Sequence, residues 1–237
     1  MVKICIIFFG LLRNLKITLP FIRKNIFIAL EKQGIKYDIY IHTYKINILN
    51  SPRSGEHDIK YDNNQISLFK HPSTKFIIDN QDEIDKTLRF PEILSKFNPW
   101  PEDPTKSTMK NLIRQYYSLK RVFEMVKQDN KEYDGYLFLR PDLLYLNPFI
   151  VTSSMSLPVN KYHFYSSPKD NYNGVNDRFC FTSRYGAEIY SSRLDEVYDE
   201  SNIHSETFLN KHLLKYKMVL LPLNISTFRV RANGLIK

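Results

Sequence analysis

The chain opens on an apolar run of strand length, VKICIIFF over residues 2 to 9, which Gly10 stops. Its residues are apolar at successive rather than alternate positions, the pattern of a strand buried on both faces. In the next stretch, 11 to 34, Ile22, Ile26, Phe27 and Leu30 recur at helical spacing up to Gly34. Thr18 is placed to cap this helix and Pro20 to sit in its first turn. A second strand, YDIYIHTY, follows at once. Strand, glycine turn, helix and strand make the βαβ unit of a parallel sheet.

From about residue 45 to 105 the pattern lapses. NSPRSGEHD, DNNQ and the proline cluster FNPWPEDPTK surround a single strand candidate, KFIID, and predict a long excursion carrying loops. Periodicity returns in TKSTMKNLIRQYYSLKRVFEMVKQDN, where Leu112, Tyr116, Leu119, Val122, Phe123 and Val126 share one helical face directed at the sheet. That helix leads into YDGYLFLRPDLLYL, whose apolar core Tyr136 to Leu139 is too short for a helix and is closed by Pro141. KYHFYS, DRFCFTS and STFRVR are further strand candidates; RYGAEIYSSRLDEVY and HSETFLNKHLLKY are helical stretches between them. With no internal repeat, low-complexity tract or clean linker, the pattern predicts one α/β domain over 1–237, with a central mixed, mostly parallel sheet flanked by helices.

Composition narrows the picture. A chain of 237 residues buries roughly 70–75% of its extended surface on folding, enough for a core without a metal or disulfide staple. Hydrophobic content of 43%, aromatic content of 14% and only 7 glycines exclude a disordered chain. Cys5 and Cys180 both lie in apolar strand-like runs, where a free thiol acts as a small hydrophobe, and a reducing, cytoplasmic compartment is expected. The opening run lacks a small-residue cleavage site and falls far short of the roughly 20 residues that cross a bilayer, so a buried strand is expected and no transmembrane segment. A net charge of +9 and a pI near 9.3 favour anionic partners, and are compatible with peripheral contact to a membrane. The basic residues are scattered on helix faces, and no nucleic-acid recognition motif accompanies them, so no nucleic-acid partner is expected.

Candidate chemistry concentrates where the strands end, since ligands of parallel sheets gather at the carboxyl edges. Gly10 to Arg13 follow the first strand, His42 and Thr43 close the second, and Arg140 to Asp142 close the central one. A glycine lets the backbone approach a phosphate, and Arg13 offers a fork of donors; a tight turn with a surface arginine explains the same residues. Asp142 is suited to hold a divalent cation bridging two phosphates, or else pairs with Arg140 to close a turn. Asn176, Asp177 and Arg178 form a polar loop before a strand. Ser205 is a candidate helix cap, with His204 and Glu206 in the first turn, where an acid commonly complements the helix dipole. There is no Walker A loop, no G-x-G-x-x-G after the first strand, no H-E-x-x-H, no Cys/His cluster and no G-x-S-x-G elbow, which sets aside hydrolase and zinc-protein readings.

In order, FFGLLRN, YDIYIHTY, QYYSLKRVFEMV running into YDGYLFLRPDLLYL, NDRFCFTSRYGAEIYSSR, SETFLNKHL and FRVRANG resemble the viral and bacterial glycosyltransferases of the GT-A type, over residues 4 to 234. In that family a strand-terminal acidic motif, usually Asp-x-Asp, binds the metal and diphosphate of a nucleotide-sugar. The resemblance implies a GT-A-like, Rossmann-like domain with a nucleotide-sugar-binding half over 1–145 and an acceptor-binding half over 146–237. It implies transfer of a hexose, deoxyhexose or pentose from a UDP- or GDP-sugar to a hydroxyl of a glycan. Gly10 and Arg13 would lie on the diphosphate, His42 and Thr43 near the base or ribose, Gln115 and Tyr116 near the donor, and Asn176, Asp177 and Arg178 on the donor sugar. Glu206 would be the general base, with Asp177 its rival. Asp142 matches the last acid of the metal motif and would hold Mn²⁺ or Mg²⁺, so that Asp142→Ala would abolish donor turnover with the fold intact. Arg140 stands where the first acid usually stands, and an arginine there could neutralise the diphosphate itself: opposite charges about 4 Å apart attract by about 4 kcal/mol at an effective dielectric of 20. The alternative is a non-catalytic basic α/β module that binds nucleic acid or another polyanion. A cleft uniting Arg13 and Arg140 with the acids favours the enzyme, and a flat basic face remote from them the module.

Overall fold

The computed structural model describes residues 1–96, 103, 105–200 and 203–236. Most of the proline cluster, and Asn202 before the last helix, lie outside these residues. The first βαβ unit forms as the pattern predicts. Strand β1 (Lys3–Phe9) leads to helix α1 (Leu15–Ile22), which passes through a π-helical segment, Arg23–Phe27, into α2 (Ile28–Lys32) and then β2 (Lys36–Lys45). The helix begins earlier than predicted, so Pro20 lies inside it, where it removes one backbone donor. Thr18 is no cap: its buried hydroxyl donates to the Pro141 carbonyl at 2.7 Å.

The excursion carries more structure than its sequence promises. β3 (Ile48–Ser51) and β4 (Glu56–Lys60) form an antiparallel hairpin, and β5 (Thr74–Asn80) is followed by short helices α3 (Gln81–Asp85) and α4 (Phe90–Ser95). The long helix α5 (Ser107–Gln128) runs into β6 (Gly135–Leu139), and β7 (Leu143–Tyr145) begins three residues beyond Arg140. The remaining elements are β8 (His163–Ser166), β9 (Phe179–Thr182), α6 (Arg184–Ser191), α7 (Arg193–Glu196), α8 (Ser205–Lys215), β10 (Val219–Pro222) and β11 (Thr227–Arg229).

Seven strands make the central sheet, in the order β10-β8-β9-β6-β1-β2-β5. Only β9 runs against its neighbours. The fold is therefore α/β with a mixed, mostly parallel sheet, as expected. Period-two alternation divides the apolar runs between two core layers. Cys5, Ile7, Phe9, Tyr136, Phe138 and Cys180 face α5, α6 and α8 on one side. Ile4, Ile6, Phe8, Leu137, Leu139 and Phe179 face α1 and α2 on the other. Cys5 and Cys180 are both buried and unpaired. No helix among the described residues is long and apolar enough to cross a membrane.

Register then brings the site together. Phe9 pairs with His42, Phe8 with Leu139 and Leu139 with Phe179, so the segments after β1 and β6 meet the one before antiparallel β9 at a single edge. The short sheet of β7 and β11 lies beside that edge and pairs Arg229 with Leu143.

The layers touch with no slack at Gly135, where an added Cβ would stand 2.4 Å from the buried Phe181 ring and 3.2 Å from Val159. Gly135→Ala is expected to destabilise by about 1–3 kcal/mol through overpacking. At this chain length that is roughly 2–4 °C of Tm per kcal/mol, and a thermal melt measures it.

Candidate active site at the carboxyl edge of the sheet

Gly10 turns the chain out of β1 with φ +89°, a conformation that other residues adopt only under strain. Its amide donates to the Ser118 hydroxyl at 2.8 Å. Ser118, on α5, lies 2.7 Å from Nδ1 of His42, and the other ring nitrogen is 3.2 Å from Asp79. Burial holds His42 below its ordinary pKa against the pull of Asp79. His42 and Thr43 are buried, and His42 supports the glycine turn from behind.

The turn after β6 is held by its backbone. Tyr145 donates its hydroxyl to the Arg140 carbonyl at 2.9 Å, and Thr18 holds the next carbonyl. Arg140 then grips Asp142 with two parallel bonds of 2.9 and 2.7 Å. This fork is among the stronger neutralising contacts available to a carboxylate. Its third arm donates to Gln115 Oε1 at 2.5 Å, and Gln115 donates in turn to Asp177 at 3.0 Å. Ser205 also donates its hydroxyl to Asp177. One unbroken polar chain thus joins β6, α5, the loop before β9 and the start of α8. Ser205 is not the cap of α8: the cap position is His204, and the hydroxyl is turned to Asp177 instead.

These residues border a cleft of about 530 Å³. Gly10, Arg13, Gln115, Arg140, Asp177, Arg178 and Glu206 line it. Tyr116, Asp142 and Asn176 are buried outside its lining. Tyr116 stacks on the Arg193 guanidinium, and Asn176 bonds to Lys169 and to the Arg178 amide, shaping the loop. The sequence reading missed Glu56, which is buried beneath Arg13 and Arg231, and Arg193, which is buried beside Asp177. It also missed Arg229 and Arg231, although the alternation in FRVR sets both on one side of a strand.

The acids have separate electrostatic lives. Burial works against the charge on Asp142, but Arg140, Arg229 and Arg13 together hold its carboxyl well below the usual range. Burial likewise opposes ionisation of Asp177, and the Arg193 charge and the Ser205 bond outweigh it. Beside the Glu206 carboxyl stands the His204 ring, its Nδ1 3.3 Å away. Burial first, and the negative charge of Asp177 second, push Glu206 up to about 7.

Asp142 does not fit a divalent cation. It is 1% exposed, both oxygens are engaged by Arg140, and Arg13 stands 3.6 Å from Oδ2. Among the described residues no group of three or more His, Cys, Asp or Glu side chains could hold a metal.

No protein-family model matches the chain, and no curated protein sequence does. Among solved structures it is similar to the apo form of the glycosyltransferase GlyE of Streptococcus pneumoniae TIGR4. The TM-score is 0.47 at 13% identity, over 93% of this chain and 45% of that one. A second GlyE structure gives a TM-score of 0.45 at 12% identity, over 94% and 45%. The chain spans less than half the length of these proteins.

The burial of Asp142 changes what its removal does. Asp142→Ala leaves the half-buried Arg140 without its anion and Arg13 with Glu56 alone, so a loss of about 3 kcal/mol is expected where the sequence alone suggested an intact fold. The double variant Arg140→Met/Asp142→Leu removes both charges and should recover much of that loss in denaturant melts. A carboxyl with a depressed folded pKa stabilises above its unfolded value and ceases to only as pH falls through the folded one. The gap between wild type and Asp142→Ala should therefore persist down to about pH 4.

Proposed function

We propose that the cleft transfers a glycosyl group from a nucleoside-diphosphate sugar to a hydroxyl of a glycan acceptor. The observation that carries this reading is the convergence, in one concave site, of several guanidinium groups with a carboxylate poised near neutral pH. A polyanion-binding module needs the positive charge but has no use for the acid, and a flat basic face would suit it better.

In the proposed reaction the acceptor oxygen forms a bond to the anomeric carbon. The bond from that carbon to the phosphate oxygen breaks, and its electron pair leaves with the diphosphate. The hydroxyl proton passes to Glu206. Of the two candidate bases, Glu206 suits the task better because its pKa of about 7 is matched to neutral pH. Asp177 has its carboxylate engaged by Ser205 and Gln115 and its pKa lowered, which makes it a poor base. Its role is to position, and to keep Glu206 basic. Gly10, Arg13 and Arg140 would receive the diphosphate, where charge builds as the glycosidic bond breaks. The half before residue 145 would supply most of this cradle, and the half after it the base and acceptor wall, including exposed Tyr172 at the rim. No step runs through a metal, since Asp142 does not fit one.

Glu206→Gln should lower kcat by about 10²–10⁴-fold with the affinity for the donor nucleotide unchanged. A base must be ionised, so kcat should fall as pH drops through about 7. Asp177→Asn removes the neighbouring like charge and should move that limb to lower pH. Product analysis reads all three, with UDP- and GDP-sugars and oligosaccharide acceptors. Full activity in Glu206→Gln would remove the base, and release of free sugar with no transfer to any acceptor would make the chain a nucleotide-sugar hydrolase.

A further inference from the structure

We propose that Arg229, flanked by Arg140 and Arg231, supplies the counter-charge that a divalent cation provides in metal-dependent sites, so that the cleft binds a nucleoside diphosphate without metal. The inference rests on the reading of the cleft as a nucleotide-sugar site and adds residues that reading did not need.

Backbone register sets the arrangement. β11 pairs with β7, and the Val230 amide donates to the Asp142 carbonyl at 2.8 Å. Arg229 and Arg231 therefore stand on either side of the strand residue that touches the turn after β6, while Val230 is buried. Alternate residues of an extended segment project to the same side, and both arginines line the cleft. The end of the chain is tied down separately, since the Ala232 amide donates to Glu56 at 2.7 Å.

Charge matching singles out Arg229. Arg140 is matched by Asp142, Arg178 by Asp170 at 2.6 Å and Arg114 by Asp85. Arg13 shares Asp142 and Glu56 at 3.6 and 3.7 Å, and Arg231 reaches Glu56 at 3.8 Å. Among the described residues Arg229 forms no ion pair with any carboxylate, and Asp142 attracts it only at longer range. Its Nε is buried without a hydrogen-bond partner, as are those of Arg13 and Arg231. Three guanidiniums thus stand at one end of the cleft, each with a buried Nε left unpaired. Burial, and then the cation of Arg140, depress Arg229 to about 9, so it stays protonated at neutral pH in a setting that penalises its charge. An anion in the cleft relieves that penalty by setting negative charge against the guanidinium groups that line it. A cation in the same place would meet the guanidiniums of Arg13, Arg140, Arg229 and Arg231, and the carboxylate of the turn is already taken.

Calorimetric titration of the intact chain with UDP, GDP and dTDP, in EDTA and in MnCl₂, tests this. At least one nucleotide should bind with the same affinity in both buffers. Arg229→Gln should weaken that binding by about tenfold or more, with Arg229→Lys in between. The ligand-free Arg229→Gln protein should melt no lower than wild type, because burial and Arg140 together outweigh the attraction of Asp142 for the replaced cation, whereas a structural arginine would lower it. Binding that appears only with Mn²⁺ overturns the inference and leaves the glycosyl-transfer reading standing. Wild-type affinity in Arg229→Gln also overturns it. If none of the nucleotides binds in either buffer while heparin does, both the inference and the reading beneath it fall.

Discussion

The site depends on one buried ion pair. Asp142 carries its charge at 1% exposure, where an isolated carboxylate would neutralise itself rather than stay ionised. Arg140 makes the charge tenable by closing both oxygens in a fork. The geometry of that fork uses two of the arginine's arms and aims the third at Gln115, from which the chain of contacts runs to Asp177 and Ser205. A lysine would hold the charge but could not hold the direction, since its ammonium is a compact point charge without a planar fork. The same pair decides the chemistry open to the site. An acid enclosed by guanidinium cannot coordinate a cation, so a strand end that in other sheets would offer oxygens offers positive charge instead.

The second constraint is the unequal treatment of two neighbouring carboxylates. Asp177 is given donors and the buried cation of Arg193, itself stacked on Tyr116 and Tyr190. Glu206 is given burial and a negative neighbour. Pairs of acids whose surroundings push their pKa values apart are a recurring means of assigning one to charge stabilisation and the other to proton transfer. The arrangement rests on Gly174, where an added Cβ would stand 2.1 Å from the Glu206 backbone. Only a glycine lets the loop before β9 come so near α8, with the Val175 amide donating to the Glu206 carbonyl at 3.0 Å.

Much of this was legible in the sequence, and what was not has a physical reason. The runs VKICIIFF and YLFL gave away strands covered on both faces, and those strands hold the centre of the sheet. The carboxyl-edge rule pointed to Gly10, Arg13 and Arg140, and the family resemblance to Asp177 and Glu206, and these five share one cleft. The rule overreached at His42 and Thr43, which are packed into the core, and the resemblance at Tyr116 and Asn176, which helix and loop packing turn away from the cleft. Hairpin β3–β4 escaped notice because its strands are short, polar and exposed, and are set by pairing with each other more than by a core. Thr18 and Ser205 carry the residue type of helix caps, yet both hydroxyls are claimed by distant partners, Pro141 and Asp177, that no local pattern reveals. Arg229 and Arg231 lie far along the chain from Asp142, and only the antiparallel pairing of β11 with β7 brings them to it.

Charge movement ties the two halves of the cleft together. In the proposed transfer the departing diphosphate gains a negative charge while Glu206, by taking a proton, loses one. Negative charge therefore migrates across the site, from α8 toward the arginines of the β6 and β11 edges. The structure is biased in that direction at both ends. Burial and Asp177 make charge unwelcome on Glu206, and the guanidinium groups of Arg13, Arg229 and Arg231 that line the cleft make it welcome opposite. These charges belong to the resting protein and need no reorganisation as the bond breaks, which is the condition under which fixed charges contribute most to a reaction. A surface evolved only to hold a polyanion would gain from the arginines but lose from a half-protonated acid set against them, so the pairing itself argues for turnover rather than retention.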